Sequence, residues 1–435
     1  MASEYQIIFI FILFLALLGV GMAVPFAILL PGLVYLYWQG GLGALHGMGL
    51  ASWGSMDSYT LTAIPLFVLM AEVLQGSGLG LRVYGGLSQL VRKVPGGLLQ
   101  TNIAGCAVFA AVSGSSIATA AAIGKVALPQ LKARGYDMRM ATGSLAAGGT
   151  LGILIPPSIA MIVYATFTET SVAKLFMAGV VPGIVLTLLF MVYVAVAAMI
   201  KPGIAPREEG VLTRDVVLRA LIDVVPFMLL IAGIMGAIYT GVATPTEAAA
   251  AGCIFALIIA HIFGELPWKE FLACLKRSTL AVSNILFITY AAFIFSYAMS
   301  YGGVGEEVTK FIIGLHLNKY EFFIALLILF TLLGALVESL GMIVITVPLL
   351  YPLLASYGID PVWFGIIVVV FIEMGQITPP IGINLFVIQS IARGNLSDVV
   401  MGTLPFHLLM FLLLIMLVVW PELALWLPGH ISGKH

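Results

Sequence analysis

The sequence predicts an all-α polytopic membrane protein made of two inverted halves, each holding a re-entrant helical hairpin and a broken helix. Three observations predict it. The 435 residues are 61% hydrophobic and only 9% charged, against about 25% charged in a soluble domain, and the mean hydropathy is +1.14. Apolar runs of spanning length recur from end to end. A pattern of prolines and glycines in the first half returns in the second.

The apolar runs fall at 5–37, 59–78, 100–131, 137–166, 172–200, 221–239, 245–264, 279–299, 321–352, 361–391 and 403–427. A helical span needs roughly 20 apolar residues, so the runs predict about 10–12 spans in a lipid bilayer. Runs longer than a span are expected to be hairpins or broken helices. The opening "MASEYQ" has no positive region, and the apolar run behind it is far longer than a signal-peptide core, so a retained span is expected. Cys106, Cys253 and Cys274 lie in or beside apolar runs without metal or redox spacing and read as small buried hydrophobes. A net charge of −1 gives no basic surface for nucleic acid.

The one long polar connection, "KPGIAPREEGVLTRD" at 201–215, carries Lys201, Arg207 and Arg214, with Arg219 just beyond. Basic loops favour the cytoplasm, which places this linker there. It divides the chain into two halves, within which residues 129–182 align with 352–405 without gaps. Pro129 pairs with Pro352, Gly135 with Gly358, Asp137 with Asp360 and Gly152 with Gly375. Further along, Pro156 and Pro157 pair with Pro379 and Pro380, Gly179 with Gly402 and Pro182 with Pro405. Side chains have drifted while the residues that dictate backbone shape have stayed. Positions 125–139 hold Lys125, Lys132, Arg134 and Arg139, whereas 348–362 hold no Lys or Arg. The two copies therefore face opposite sides of the membrane. A weaker echo joins "GMAVP" (21–25) to "GVATP" (241–245).

Inverted repeats with paired broken helices at mid-membrane are the usual build of secondary transporters. Proline removes a backbone donor, and unwound backbone at that depth is tolerated where it lines a cavity. "AVSGSSIATAAAIG" (111–124) predicts the first hairpin, with its tip near Ser113–Ser116. The hydroxyls of Ser113, Ser115, Ser116 and Thr119 supply oxygen ligands, and the arm after the tip presents a positive helix end to a carboxylate. The second hairpin, 334–352, has its expected tip at Glu338-Ser339-Leu340-Gly341. An ionisable residue at membrane depth is costly and usually functional, which singles out Glu338 and then Glu373. Glu72, Glu169 and Glu247 read as interfacial or helix-end residues, and His407 as a packed core residue. No Ser–His pair, metal-ligand cluster or paired-aspartate motif points to an intramembrane enzyme.

"AVSGSSIATAAAIG", "GGTLGILIPPSI" and "GQITPPIGINLF" closely resemble the large membrane subunit of TRAP transporters, the tripartite ATP-independent periplasmic family. The resemblance covers essentially the whole chain. It implies an elevator-type, sodium-driven importer of organic acids, dicarboxylates or sialic-acid-like carboxylates, in the bacterial inner membrane. It implies two partners, a small four-helix membrane subunit and a soluble periplasmic substrate-binding protein. A stand-alone sodium-coupled anion symporter or antiporter of related fold remains the alternative.

Carried onto this sequence, the resemblance assigns one Na⁺ site to Ser113 and Ser115 with backbone around Gly149, Gly152 and Ile155. It assigns the other to Glu338 and Ser339 with Gly375, Gln376 and Thr378; family members often carry aspartate where Glu338 stands. Substrate is expected between the tips, near Ser116, Thr119, Ser158, Thr378 and Asn384. The implied organisation is a first repeat over 1–200, with scaffold and arm helices in 1–98 and hairpin plus broken helix in 100–166. A cytoplasmic linker follows at 201–220. The second repeat covers 221–435, with scaffold and arm helices in 221–299, hairpin and broken helix in 321–391 and a last span at 403–427.

Overall fold

A computed structural model describes residues 4–206, 213–334 and 336–430; Arg207 of the linker lies outside them. Helices make up the regular structure of the described residues, with no strand among them. α1 (Glu4–Gly19) and α2 (Val24–Met56) open the chain. The apolar run 5–37 is thus split at residues 20–23, and α2 continues well past it. Gly41 breaks the helical path inside α2 with φ 59° and ψ −147°, a conformation that glycine takes without a Cβ clash. α3 (Ala63–Gly76) and α4 (Leu79–Leu90) follow, bent by 70° at their junction.

Hairpin 1 is α5 (Leu98–Ser113) and α6 (Ser116–Ala133). The first broken helix is α7 (Met138–Leu154) and α8 (Ile159–Thr168), bent by 40°. α9 (Val172–Ile200) then crosses back. A single 3-10 turn, Pro202–Ile204, begins the linker, and the Ile204 carbonyl accepts from Asp137 N–H at 3.0 Å. The linker therefore starts at the base of hairpin 1, on the face of Lys132 and Arg134.

The second half opens with α10 (Arg214–Tyr239), so Arg214 and Arg219 are helical. α11 (Pro245–Phe263), the 34-residue α12 (Trp268–Tyr301) and α13 (Val304–Gly314) follow. Hairpin 2 is α14 (Lys319–Gly334) and α15 (Ser339–Ser356). The second broken helix is α16 (Pro361–Gln376) and α17 (Ile383–Ala392). α18 (Leu396–Val419) and α19 (Glu422–Gly429) finish the chain. The apolar run 403–427 is interrupted where Trp420 leaves the helical region and Pro421, which has no N–H, precedes α19 as its N-cap residue.

The repeat is structural. α6 starts at Ser116 and α15 at Ser339, 223 residues on; α7 starts at Met138 and α16 at Pro361, again 223. The same local physics sets both starts. Gly135 and Gly358 turn with φ 73° and 61°. Asp137 then accepts from Met140 N–H at 2.7 Å, and Asp360 from Val362 and Trp363 N–H at 2.8 and 2.9 Å. A carboxylate at that position satisfies helix N–H groups that have no partner within the helix. Both twin-proline bonds, Pro156–Pro157 and Pro379–Pro380, are cis.

Seven helices are individually long and apolar enough to span; each of the two sharply bent pairs, α3–α4 and α7–α8, passes when its halves are taken together. α2 lies along α12 and α3 against α11 and α12, one body of outer spans. α7 packs on α5, α6 and α18, and α16 on α14, a second body holding the hairpins and breaks. α4 joins the two. Arg82 donates to Asp223 on α10 at 2.7 Å and also to the Phe263 carbonyl, while Tyr84 donates to Asn102 Oδ1 on α5 at 2.9 Å. Asn102 donates in turn to Ser144 on α7 at 3.0 Å.

Candidate functional site

Each break exposes carbonyls for a reason written in the sequence. In a helix the carbonyl of residue i accepts from the N–H of i+4. For Gly152 and Ile153 those residues are Pro156 and Pro157; for Gly375 and Gln376 they are Pro379 and Pro380. Neither pair has a helical donor to meet. The Gly375 carbonyl is reached by Thr378 N–H at 3.2 Å instead. Beside Gly382, whose φ is 43°, the carbonyl oxygens of Gln376 and Thr378 both lie 3.0 Å from the point a Cβ would occupy. Two carbonyls thus converge on one small space at the second break.

The tip of hairpin 1 is seated on the first break. Ile159 N–H donates to the Gly114 carbonyl at 3.3 Å. A Cβ on Gly152 would overlap the Ser115 carbonyl oxygen, and one on Gly149 would lie 3.0 Å from Ala120 Cα. These glycines let α7 and α6 meet backbone to backbone. Ser113 Oγ lies 2.6 Å from Thr119 Oγ1, and Thr119 donates to the Ser115 carbonyl at 2.8 Å. Ser113 Oγ is also 3.2 Å from that carbonyl. Two hydroxyls and one carbonyl therefore share one locus above Gly152. The Ser115 side chain caps α6, accepting from Ala118 N–H at 3.4 Å. Ile155 is extended, with ψ 119°, and packs against Gly183.

Hairpin 2 meets the second break in the same manner. A Cβ on Gly334 would lie 2.5 Å from Gly375 Cα, so α14 and α16 also touch at backbone level. α15 begins at Ser339 with Glu338 as its N-cap residue, so Leu340 and Gly341 are helical and the turn comes earlier than the sequence suggested. Glu338 makes no side-chain capping bond to α15, so its carboxyl group is left to the space in front of the helix.

Both tips open on one cavity of about 290 Å³. Ser113, Gly114 and Ser115 line it from hairpin 1, and Glu338, Ser339 and Leu340 from hairpin 2. The opposite wall comes from α3 and α12 and includes Glu72, Gln75 and Asn284. The structure thus brings together Ser113, Ser115, Glu338 and Ser339. It does not bring Ser116, Thr119, Ser158, Thr378 or Asn384 to the cavity wall. Ser116, Thr119 and Ser158 are buried behind the first tip, with Ser158 capping α8 through Met161 N–H at 3.4 Å. Thr378 is half-buried and donates to the Met374 carbonyl at 2.6 Å. Gly149 and Gly152 lie in the last turns of α7, Ile155 in the first break, and Gly375 and Gln376 at the end of α16, all off the cavity surface.

Several buried polar atoms have no protein partner: Ser116 Oγ, both amide atoms of Gln376 and of Asn384, and both carboxyl oxygens of Glu373. Leaving such an atom unpaired costs about 1–3 kcal/mol, and all four side chains sit at or within a turn or so of a tip or a break. Glu72 is what the sequence reading missed. Expected as an interfacial or helix-end residue, it lines the cavity, one turn from Gln75 on the same face of α3. That i, i+3 polar pair inside "AIPLFVLMAEVLQG" is the signal that would have found it.

Inverted halves, hairpin tips meeting broken helices and a shared chamber against an outer wall define a membrane transporter of the inverted-repeat class. The family model described as "Tripartite ATP-independent periplasmic transporter, DctM component" matches residues 11–423. The chain belongs to this family; it is a multi-pass permease of the inner membrane and not an enzyme. The C4-dicarboxylate TRAP transporter large permease protein of Pseudomonas aeruginosa is 33% identical, over 89% of this chain and 91% of that protein. The sialic acid TRAP transporter large permease protein of Vibrio cholerae is 28% identical, over 96% of this chain and 97% of that one. Among solved structures, the YdaH transporter of Alcanivorax borkumensis superposes with a TM-score of 0.62 at 16% identity, covering 91% of this chain and 90% of that one, a likeness of fold.

Proposed function

We propose that this chain is the sodium-coupled membrane subunit of an importer of organic acid anions, of the C4-dicarboxylate or sialic-acid type. One observation carries the reading: Ser113 and Ser115, with the Thr119 hydroxyl bonded to them from behind, and the acidic turn at Glu338 border a single cavity. An all-oxygen set of hydroxyls, carbonyls and one carboxylate suits a hard monovalent cation. Ser113, Ser115 and the backbone at Gly149, Gly152 and Ile155, joined by Thr119, would hold one Na⁺. Glu338, Ser339, Gly375, Gln376 and Thr378 would hold the other. Bound Na⁺ would supply the positive charge that a carboxylate substrate needs in a chamber whose described lining holds no lysine or arginine.

Driving force agrees with this assignment. Moving an anion into a cell that is negative inside costs roughly 2.3 kcal/mol per charge per 100 mV, and two or more Na⁺ ions reverse the sign for a monocarboxylate. A substrate-binding protein and a small four-helix subunit complete the proposed machine, in keeping with the tripartite description of the family. In elevator transport, the hairpin body would slide against the α2–α3–α11–α12 body, with α4 as the arm between them. Ser116, Ser158, Thr378 and Asn384 would come into contact with substrate as the hairpin body moves.

The test is uptake into proteoliposomes holding both membrane subunits, across a panel of organic acids, with and without a sodium gradient and the binding protein. Uptake that needs both is expected. Uptake that ignores sodium overturns the coupling, and uptake by this chain alone favours a stand-alone carrier.

A further inference from the structure

The cavity has a charge problem. Its described lining holds two carboxylates, Glu72 and Glu338, and no lysine or arginine. A cation that bonds this lining is Arg277 on α12, two turns before the lining residue Asn284 and on the same helix face. Arg277 Nε donates to Glu72 Oε2 at 2.8 Å, and Nη2 donates to Glu270 Oε1 at 3.0 Å and touches Cys274 Sγ at 3.2 Å. The Arg277 side chain is 44% exposed and that of Glu72 21%. Glu72 therefore faces the cavity on one side and holds the guanidinium on the other.

We propose that Arg277 is the anion-selecting residue of the outer wall, and that Glu72 occupies it as an internal carboxylate which the substrate displaces. The idea rests on the reading above that the substrate is a carboxylate. A guanidinium presents a planar fork that fits a carboxylate with two parallel hydrogen bonds. In the structure Glu72 takes one of them, at Nε, and Glu270 holds the fork in place from the far side through Nη2. A substrate carboxylate arriving in the cavity offers Arg277 the same chemistry as Glu72. Its entry relieves the repulsion between Glu72 and itself only if Glu72 swings away. The pair thus discriminates by charge: neutral and cationic solutes cannot compete with Glu72 for the guanidinium.

The arrangement makes two neighbouring substitutions act in opposite directions. Removing the cation by R277Q should raise the KM for an acid by about tenfold, the scale of one lost charge-assisted hydrogen bond. R277K should recover part of that loss, because it restores the charge without the fork. Removing the competitor by E72Q should lower KM several-fold. The double variant should match R277Q, since Glu72 has nothing left to compete for.

The experiment is sodium-driven uptake of succinate and of N-acetylneuraminate by the complete membrane complex with its binding protein, with the melting temperature of each variant measured in detergent. A rise in KM for E72Q equal to that for R277Q, with equal melting losses, makes the pair an ordinary structural ion pair and overturns the proposal. If R277Q fails to assemble, E72Q decides alone: a fall in KM supports the proposal and a rise overturns it. A wild-type complex that moves neither acid overturns the carboxylate reading and this proposal with it.

Discussion

Ser113 Oγ and Thr119 Oγ1 lie 2.6 Å apart across the turn of hairpin 1, and the Thr119 hydroxyl also reaches the Ser115 carbonyl at 2.8 Å. The turn is short because Gly114 adopts φ 60°, which puts the last turn of α5 directly over the first turn of α6. Three oxygens are held in one place by the fold. Thr119→Val keeps the shape and removes one of them. Apparent sodium affinity should fall by about five- to tenfold, the value of one such contact, with little change in assembly. The sodium dependence of uptake measures it, and an unaltered half-saturating concentration rejects the locus.

Among the described residues of the second tip Glu338 supplies the one carboxylate, and it heads α15 without a side-chain capping bond. Its charge is therefore available to an ion. Glu338→Gln should weaken sodium activation more than Glu338→Asp, which keeps the charge. Equal sodium curves for the two variants and the parent protein would remove Glu338 from the site.

Pro156 and Pro157 act by what they lack. Pro156→Ala gives Gly152 back its helical donor and should draw its carbonyl into the helix. Transport should drop at least severalfold while yield and melting temperature stay within a few degrees. Full transport by this variant would show that the carbonyl is not needed.

The glycine contacts predict stability. Gly334→Ala places a methyl group 2.5 Å from Gly375 Cα, in backbone that has nowhere to go. A loss of about 1–3 kcal/mol is expected for such overpacking. Gly233→Ala, with nothing within 4 Å of its Cβ position, is the control and should be neutral. Thermal unfolding in detergent compares the two.

The arm helix α4 offers a contrast in the worth of polar contacts. Arg82 and Asp223 are partly exposed, and breaking such a pair by Arg82→Gln should cost less than about 1 kcal/mol. Tyr84→Phe leaves the buried Asn102 carbonyl without its donor and should cost about 1–3 kcal/mol. A larger melting loss for the arginine variant would reverse this ranking.

The sequence alone determined most of the apolar spans, the repeat of prolines and glycines and the position of each break. Those features depend on local physics: apolar length sets a span, proline strips an N–H from a fixed neighbour, glycine permits φ near 60–75°, and aspartate caps the helix that follows. Such constraints act within a few residues, so Pro156-Pro157 and Pro379-Pro380 could be matched by counting along the chain. Where side chains end up is a different matter. Glu72 and Arg277 meet across 205 residues of sequence, and Ser116 and Asn384 turn into the packed interior while Ser113 and Glu338 face the cavity. Only the tertiary structure decided these, because the face a helix presents to a chamber is chosen by the helices packed on its other sides. The start of α15 at Ser339 belongs with these, in a hairpin whose first arm packs Gly334 onto Gly375.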